Sequence, residues 1–98
     1  MLKYIACSHK GCLEKATYKV AANWSDGRFR ELKSYGLACQ DHVGDMFREA
    51  VVKCKETVRA PGEVIEPVGI FKFREGLRDT LLERLWGLEE TYREKSEI

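Results

Sequence analysis

Four residues have the types and the spacing of a metal site: Cys7, Cys12, Cys39 and His42. They form two pairs, with four residues between Cys7 and Cys12 and two residues between Cys39 and His42. Zinc prefers four tetrahedral nitrogen and sulfur ligands, and structural zinc sites take all four from the protein. A closed set of three cysteines and one histidine therefore predicts a Zn²⁺ ion that stabilises the fold and leaves no open position for a substrate.

Disulfide bonds are the alternative use of the four cysteines in the chain. Residues 1–6 include Lys3 and Tyr4 and contain no apolar run of the length found in a secretory signal peptide. We therefore expect a reducing cytoplasm, where closely spaced cysteines with a histidine more often bind metal. No stretch approaches the roughly 20 apolar residues of a membrane span, so we expect no membrane association.

Two further residues are candidates for the metal, and for both we favour another role. His9 lies inside the first ligand pair and can replace either cysteine, but thiolates usually win and so short a span would strain the turn. Cys54 lies on the apolar stripe of a predicted helix, at least three turns from His42, which favours packing in the core.

A β-hairpin is predicted between the two ligand pairs. Residues 16–24 alternate with period two, which is typical of a half-buried strand. Asp26 and Gly27 follow, and a glycine supplies the positive φ that primed hairpin turns need. Residues 28–35 complete the hairpin, and their imperfect alternation indicates a bulge near Glu31.

Two helices are predicted after the hairpin, over residues 41–55 and 77–95. The first has one apolar stripe and carries His42 in its first turn. That stripe consists of Val43, Met46, Phe47, Ala50, Val51 and Cys54. Residues 56–69 contain both prolines and form a connector, and a short strand follows it, able to pair with the hairpin edge or to pack on the first helix. In the second helix Leu77, Leu81, Leu85, Leu88 and Tyr92 share one face. Gly87 in its middle costs about 1 kcal/mol relative to alanine, which a close packing contact at that position would offset.

A ligand-bearing loop, a hairpin and a helix that starts at the second ligand pair follow one another along the chain. In this order of elements the chain resembles the treble-clef zinc finger across residues 5–56. Residues 35–42 are also similar to the turn into the helix in small uncharacterised bacterial zinc-binding proteins. The resemblance implies an α+β fold: a zinc-stabilised treble-clef-like domain over residues 1–57, with a linker, strand and amphipathic helix over residues 58–98 packed on it as one compact unit.

Catalysis is not expected. Treble-clef nucleases place a catalytic histidine on the hairpin, and this hairpin has no histidine. With His42 bound to zinc, only His9 remains as a histidine base. The function we expect is that of a structural zinc-binding protein that acts as a small protein-interaction module for a partner the sequence does not identify.

Nucleic-acid binding is the alternative function. The net charge of +1 divides into +4 over residues 1–60 and −3 over residues 61–98, so the half with the metal ligands is mildly basic. The hairpin combines cations with aromatic side chains, which suits phosphate contacts and base stacking. The candidate contact residues are Lys19, Trp24, Arg28, Arg30 and Lys33.

Overall fold

The computed structural model describes residues 4–95, which form a five-stranded antiparallel sheet and two helices, an α+β arrangement. The strands are β1 (Tyr18–Ser25), β2 (Arg30–Ala38), β3 (Val64–Ile65), β4 (Gly69–Lys72) and β5 (Glu83–Arg84), and the helices are α1 (Val43–Glu56) and α2 (Trp86–Lys95). Within residues 4–95, neither helix combines the length and the apolar character needed to cross a membrane.

Strand β1 is the centre of the sheet. It pairs with β2 along one edge, and with β4 and then β3 along the other. Strand β5 pairs with the outer edge of β4. The predicted strand after the connector is confirmed as β4, and of its two predicted placements the structure shows pairing with the hairpin edge. The division into residues 1–57 and 58–98 stays a prediction.

The predicted hairpin is confirmed, but its turn differs from the primed two-residue type. Four residues, 26–29, connect the strands, and the N–H of Asp26 donates to the carbonyl oxygen of Phe29 at 3.3 Å. The N–H groups of Phe29 and Arg28 donate to Asp26 Oδ1, both at 2.8 Å, and these two hydrogen bonds lower the pKa of Asp26. Of the four turn residues, Gly27 is the one with a positive φ, of 91°. The Asp26 carboxylate caps the loop, so a second residue with positive φ is not needed.

The predicted bulge near Glu31 lies at Tyr35. The register of β1 against β2 shifts between Val20 and Ala21, so Tyr35 has no opposite residue in β1. The extra residue allows the Tyr35 side chain to pack against the main core. The interrupted alternation in β2 therefore correctly indicated a bulge, but the position of the bulge depends on the packing of Tyr35, which the sequence does not show.

Helix α1 covers one face of the sheet with the predicted apolar stripe. Val43, Phe47, Ala50 and Cys54 are buried in the main core, and Met46 and Val51 pack partly buried against it. Phe47 on α1 and Ile70 on β4 are among the largest fully buried side chains. Burial of a side chain of this size stabilises the fold by about 1.5 to 3 kcal/mol.

The prediction of a long second helix from residue 77 is wrong, because α2 begins at Trp86. Residues 79–81 form one 3-10 turn, and residues 83–84 join the sheet as β5. Leu82 packs with Ala21 and Phe71 in a second cluster, whereas Leu85 packs against the main core. One helix face cannot supply both clusters, so residues 82–85 are extended and α2 begins only after Leu85.

The close helix contact is at Gly44 of α1 and not at the predicted Gly87. A Cβ atom on Gly44 would lie 2.6 Å from the ring of Tyr92, whereas a Cβ on Gly87 would meet nothing within 4 Å. Leu88 and Tyr92 of α2 pack against the main core, but Leu77 and Leu81 are exposed. The predicted apolar face of α2 is therefore correct only in its last part.

Candidate metal centre and basic hairpin

The first ligand pair lies in a tight loop before β1. The N–H of Cys12 donates to the carbonyl oxygen of His9 at 3.0 Å, and Gly11 has a φ of 83°. The N–H of Cys7 donates to the carbonyl oxygen of Glu14 at 2.8 Å. These bonds turn the chain back on itself, which brings the side chains of Cys7 and Cys12 to one side of the loop.

The second ligand pair lies where β2 passes into α1. The N–H groups of His42 and Val43 donate to the carbonyl oxygen of Cys39, at 3.2 and 3.0 Å. His42 occupies the N-cap position of α1. Because one turn separates the two residues, both side chains can point towards the first pair.

Backbone contacts hold the two ligand-bearing segments together. The N–H of Ser8 donates to the carbonyl oxygen of Leu37 at 2.7 Å, and the N–H of Leu37 donates to Ser8 Oγ at 3.0 Å. Ser8 thus lies beside the outer edge of β2 at Leu37, which is two residues before Cys39. These contacts between distant residues of the chain bring the two ligand pairs next to each other.

The four donor atoms lie within 4.8 Å of one another. Cys39 Sγ is 3.8 Å from Cys12 Sγ and 3.2 Å from His42 Nδ1, and Cys7 Sγ is 3.7 Å from the same nitrogen. Around a tetrahedral zinc ion, bonds of about 2.3 Å to sulfur and about 2.0 to 2.1 Å to nitrogen separate two sulfurs by about 3.8 Å and a sulfur from a nitrogen by about 3.5 to 3.6 Å. The distance between the Cys12 and Cys39 sulfurs matches this geometry, and the distance from Cys39 Sγ to His42 Nδ1 is shorter. The sulfur separation is far beyond the roughly 2.05 Å of a disulfide, and the cysteines are free. The cluster can bind a metal ion.

The surroundings of the thiols favour a bound cation. Burial raises the pKa of the Cys7 thiol, but the N–H groups of His9 and Cys39, together with the sulfurs of Cys39 and Cys12, lower it overall. The N–H of Glu14 lowers the pKa of Cys12, yet burial and the neighbouring Cys39 and Cys7 sulfurs raise it overall. Three thiolates this close would repel one another, and the positive charge of a divalent ion offsets that repulsion and so favours the deprotonated ligands.

His9 lies beside the donor set and does not belong to it. Its ring stacks on the ring of His42, with the centroids 3.9 Å apart and the planes at 3° to each other. Its Nδ1 is 3.1 Å from the carbonyl oxygen of Lys10. His9 therefore supports one ligand from outside and leaves the four donors as predicted.

Cys54 packs in the main core, as predicted, and is 7% exposed. Arg59 Nη2 lies 3.6 Å from its sulfur and also donates to its carbonyl oxygen at 3.3 Å. Burial, with a smaller contribution from Cys54, raises the pKa of Tyr35 to about 12. The fourth cysteine therefore belongs to the α1 C-terminus and is separate from the metal-ligand cluster.

The candidate contact residues on the hairpin do not form one surface. Lys19 is committed to an ion pair with Asp79, at 2.7 Å. Trp24 packs partly buried against the main core, and Lys33 lies over the ring of Tyr35, 5.8 Å from its centroid. Of the five candidates, Arg28 and Arg30 are exposed, and neither makes an ion pair or a ring contact within the described part of the chain.

Sequence reasoning missed a buried ion pair between Arg84 and Glu89. Glu89 is 1% exposed and accepts from Arg84 Nε at 2.8 Å, from Arg84 Nη2 at 3.0 Å and from the N–H of Ile70 at 3.0 Å. The guanidinium of Arg84 stacks on Trp86, 3.7 Å from its ring centroid. The spacing of Glu89 in the sequence could have indicated this burial. Glu89 is four residues after Leu85 and three before Tyr92, which places it on the apolar face of α2.

Comparison with protein-family models, with curated proteins and with solved structures finds no match to this chain. A function for the chain is therefore inferred from its own geometry.

Proposed function

We propose that this chain is a zinc-binding protein in which the metal is structural, and that the folded domain acts as a small protein-interaction module without catalysis. The observation that supports this proposal most strongly is the donor cluster. Its four atoms lie within 4.8 Å of one another, close enough to share one metal ion, and two of its cysteines, Cys7 and Cys39, are 5% and 4% exposed. A set of three sulfurs and one nitrogen suits zinc better than it suits the hard cations, which prefer oxygen ligands.

A treble-clef-like architecture is part of the same proposal. It is supported by the order of the elements: the loop with Cys7 and Cys12, the hairpin of β1 and β2, and α1 with Cys39 and His42 at its start. A structural zinc joins the loop to the helix and so closes a small core. Free thiols suit a reducing compartment, and we propose the cytoplasm.

The proposed absence of catalysis rests on the number of donors. Four protein ligands complete a tetrahedral shell, whereas a catalytic zinc keeps one position for water or substrate. His9, the second histidine of the chain, stacks on the ring of His42, and its Nδ1 lies 3.1 Å from the carbonyl oxygen of Lys10. A closed shell leaves recognition by the protein surface as the function of the domain.

Cobalt substitution tests whether the site is closed. The Co²⁺-loaded protein should show the intense visible absorption of a tetrahedral sulfur-rich site, and added azide or cyanide should leave that spectrum unchanged. A spectrum that shifts with these anions would show an open position and would contradict a structural role. A Cys54→Ala variant is the matched control and should give the same spectrum, since Cys54 lies outside the cluster.

Nucleic-acid binding is a second candidate, favoured by the tip of the hairpin. Arg28, Phe29 and Arg30 are adjacent and exposed there, and Phe29 is 67% exposed. If these residues contact phosphates, affinity should fall with salt by a log-log slope of about −0.9 per contact on duplex or about −0.7 on a single strand.

Replacement of Arg28 and Arg30 by glutamine should flatten that slope by about one to two units without changing metal content. The matched control replaces Lys53 and Lys55, both exposed on α1, by glutamine and should keep the slope. Absence of binding to duplex and single-stranded probes at about 50 mM salt, with protein above about 10⁻⁴ M, would discard this candidate.

A further inference from the structure

Strand β2 has an outer edge that is open over half of its length. Among the described residues, β2 pairs only with β1. Near its end the edge is covered by Ser8, which exchanges hydrogen bonds with Leu37. Over residues 30–34 nothing in the described part of the chain pairs with it. An open strand edge offers unpaired backbone groups to another strand.

The hairpin fixes which backbone groups of β2 point outward. The N–H of Asp26 donates to the carbonyl oxygen of Phe29, and paired and unpaired positions alternate from there along an antiparallel ladder. Asn23 lies opposite Leu32, and its carbonyl oxygen accepts a hydrogen bond from the N–H of Glu66 on the far side of β1, at 2.8 Å. Leu32 and Asn23 therefore form a non-hydrogen-bonded pair, and the N–H and C=O of Leu32 point away from β1.

The same alternation gives the outer edge an internal symmetry. Arg30, Leu32 and Ser34 direct their backbone groups outward, while Glu31 and Lys33 direct theirs towards β1. Leu32 is the midpoint of both sets. In an antiparallel pair of two identical strands centred on Leu32, Arg30 lies opposite Ser34 of the second copy, and Glu31 lies opposite Lys33 of the second copy. Each outward N–H and C=O then has a counterpart.

Charge supports this arrangement. Glu31 is exposed, Lys33 Nζ lies over the ring of Tyr35, and neither residue makes an ion pair within residues 4–95. In the symmetric pair these two residues form two opposite-charge pairs at non-hydrogen-bonded positions, where side chains lie closest. A shift of register by one residue in either strand breaks this match, because like charges or neutral residues then face each other.

We propose that the open edge of β2, residues 30–34, binds a second copy of this chain in an antiparallel pair centred on Leu32. Two features set the length of the paired segment: the bulge at Tyr35 bends the strand, and Ser8 covers the edge at Leu37. Bulges end pairing at sheet edges in this way. The inference rests on the proposed function, since it names one protein partner for the metal-stabilised module.

Charge reversal tests the pairing. Glu31→Lys places two lysines opposite each other twice in the symmetric pair, and Lys33→Glu does the same with two glutamates. Each single variant should sediment as a monomer over a dilution series up to millimolar protein in which the wild type self-associates. An equal mixture of the two variants should form a heterodimer, because both lysines of one variant then face the two glutamates of the other. The double variant should self-associate like the wild type.

Glu49→Lys, at an exposed position on α1, is the matched control and should associate as the wild type does. Failure of the mixture to associate, or self-association of both single variants, would overturn the proposal. Metal content of every sample separates the two proposals. A metal-loaded wild type that stays monomeric overturns the edge pairing alone, whereas association that follows the charge pattern without bound metal supports the pairing and counts against the structural zinc.

Discussion

The metal-ligand cluster and the Arg84–Glu89 ion pair each join two separate elements of the fold, but they use different chemistry. In the cluster, the loop before β1 meets the start of α1 through four donor atoms within 4.8 Å. In the ion pair, the Glu89 carboxylate lies against the N–H of Ile70, next to the point where β5 ends, and holds α2 to the sheet edge. Residue type and local spacing encode the first, whereas a single acid on an apolar face encodes the second.

The metal site and the ion pair should also differ in how much they contribute to the free energy of unfolding. A structural zinc supplies folding free energy directly, because no preformed site exists in the unfolded chain. A buried ion pair gains little over an apolar replacement, because desolvation of both charges offsets their attraction. Removal of one partner is costly nonetheless, since the other charge is left buried. Four substitutions separate these contributions, and they are ordered by the size of the expected effect.

Cys39→Ser should have the largest effect. Structural zinc binding in zinc-finger peptides is worth about 10 to 16 kcal/mol, which matches or exceeds the total stability of about 5 to 15 kcal/mol of a typical domain. The variant should lose its metal, and backbone amide signals of the hairpin and α1 should collapse in an NMR spectrum. A metal-free Cys39→Ser protein with a native-like spectrum would contradict a structural role for the metal.

Glu89→Gln should come second. It removes the charge that faces Arg84, whose side chain is 13% exposed, and breaking a buried pair costs about 3 to 5 kcal/mol. Urea unfolding should register this loss while metal content stays at the wild-type value. The double variant Arg84→Met with Glu89→Met should be more stable than Glu89→Gln, because no charge is left buried. Wild-type unfolding of Glu89→Gln would show that the ion pair does not hold α2.

Gly44→Ala should have an intermediate effect. The added methyl group would meet the Tyr92 ring at 2.6 Å, and overpacking of this kind costs about 1 to 3 kcal/mol. Gly87→Ala is the matched control, because its added Cβ meets nothing within 4 Å and alanine favours a helix by up to about 1 kcal/mol. Thermal unfolding should therefore move in opposite directions for the two variants. Equal shifts would show that α1 and α2 do not touch at Gly44.

Cys54→Ala should have the smallest effect. The side chain lies in the main core, and its sulfur lies 3.6 Å from Arg59 Nη2. Its removal should cost roughly 1 kcal/mol in thermal unfolding, and metal content should not change. Loss of the metal from this variant would instead make Cys54 a ligand.

The predictions from sequence succeeded where the signal is local. The ligand spacing, the hairpin alternation and the stripe of α1 depend on residues within about one element of each other. The errors concern residues whose position depends on distant contacts. Tyr35 bulges out of β2 to reach the core, and Leu82 leaves the helical pattern to cover Ala21 and Phe71 on the other sheet face. Glu89 is buried because Arg84 and the Ile70 N–H are there to meet it.

X-ray absorption at the zinc edge, on protein purified without chelator, tests the structural role of the metal most directly. We expect one zinc per chain with three sulfur ligands at about 2.3 Å and one nitrogen ligand at about 2.0 to 2.1 Å. A folded protein that contains no metal would contradict this expectation. A shell of two sulfurs and two nitrogens would also contradict it, because His9 would then be a ligand in place of one of Cys7, Cys12 and Cys39.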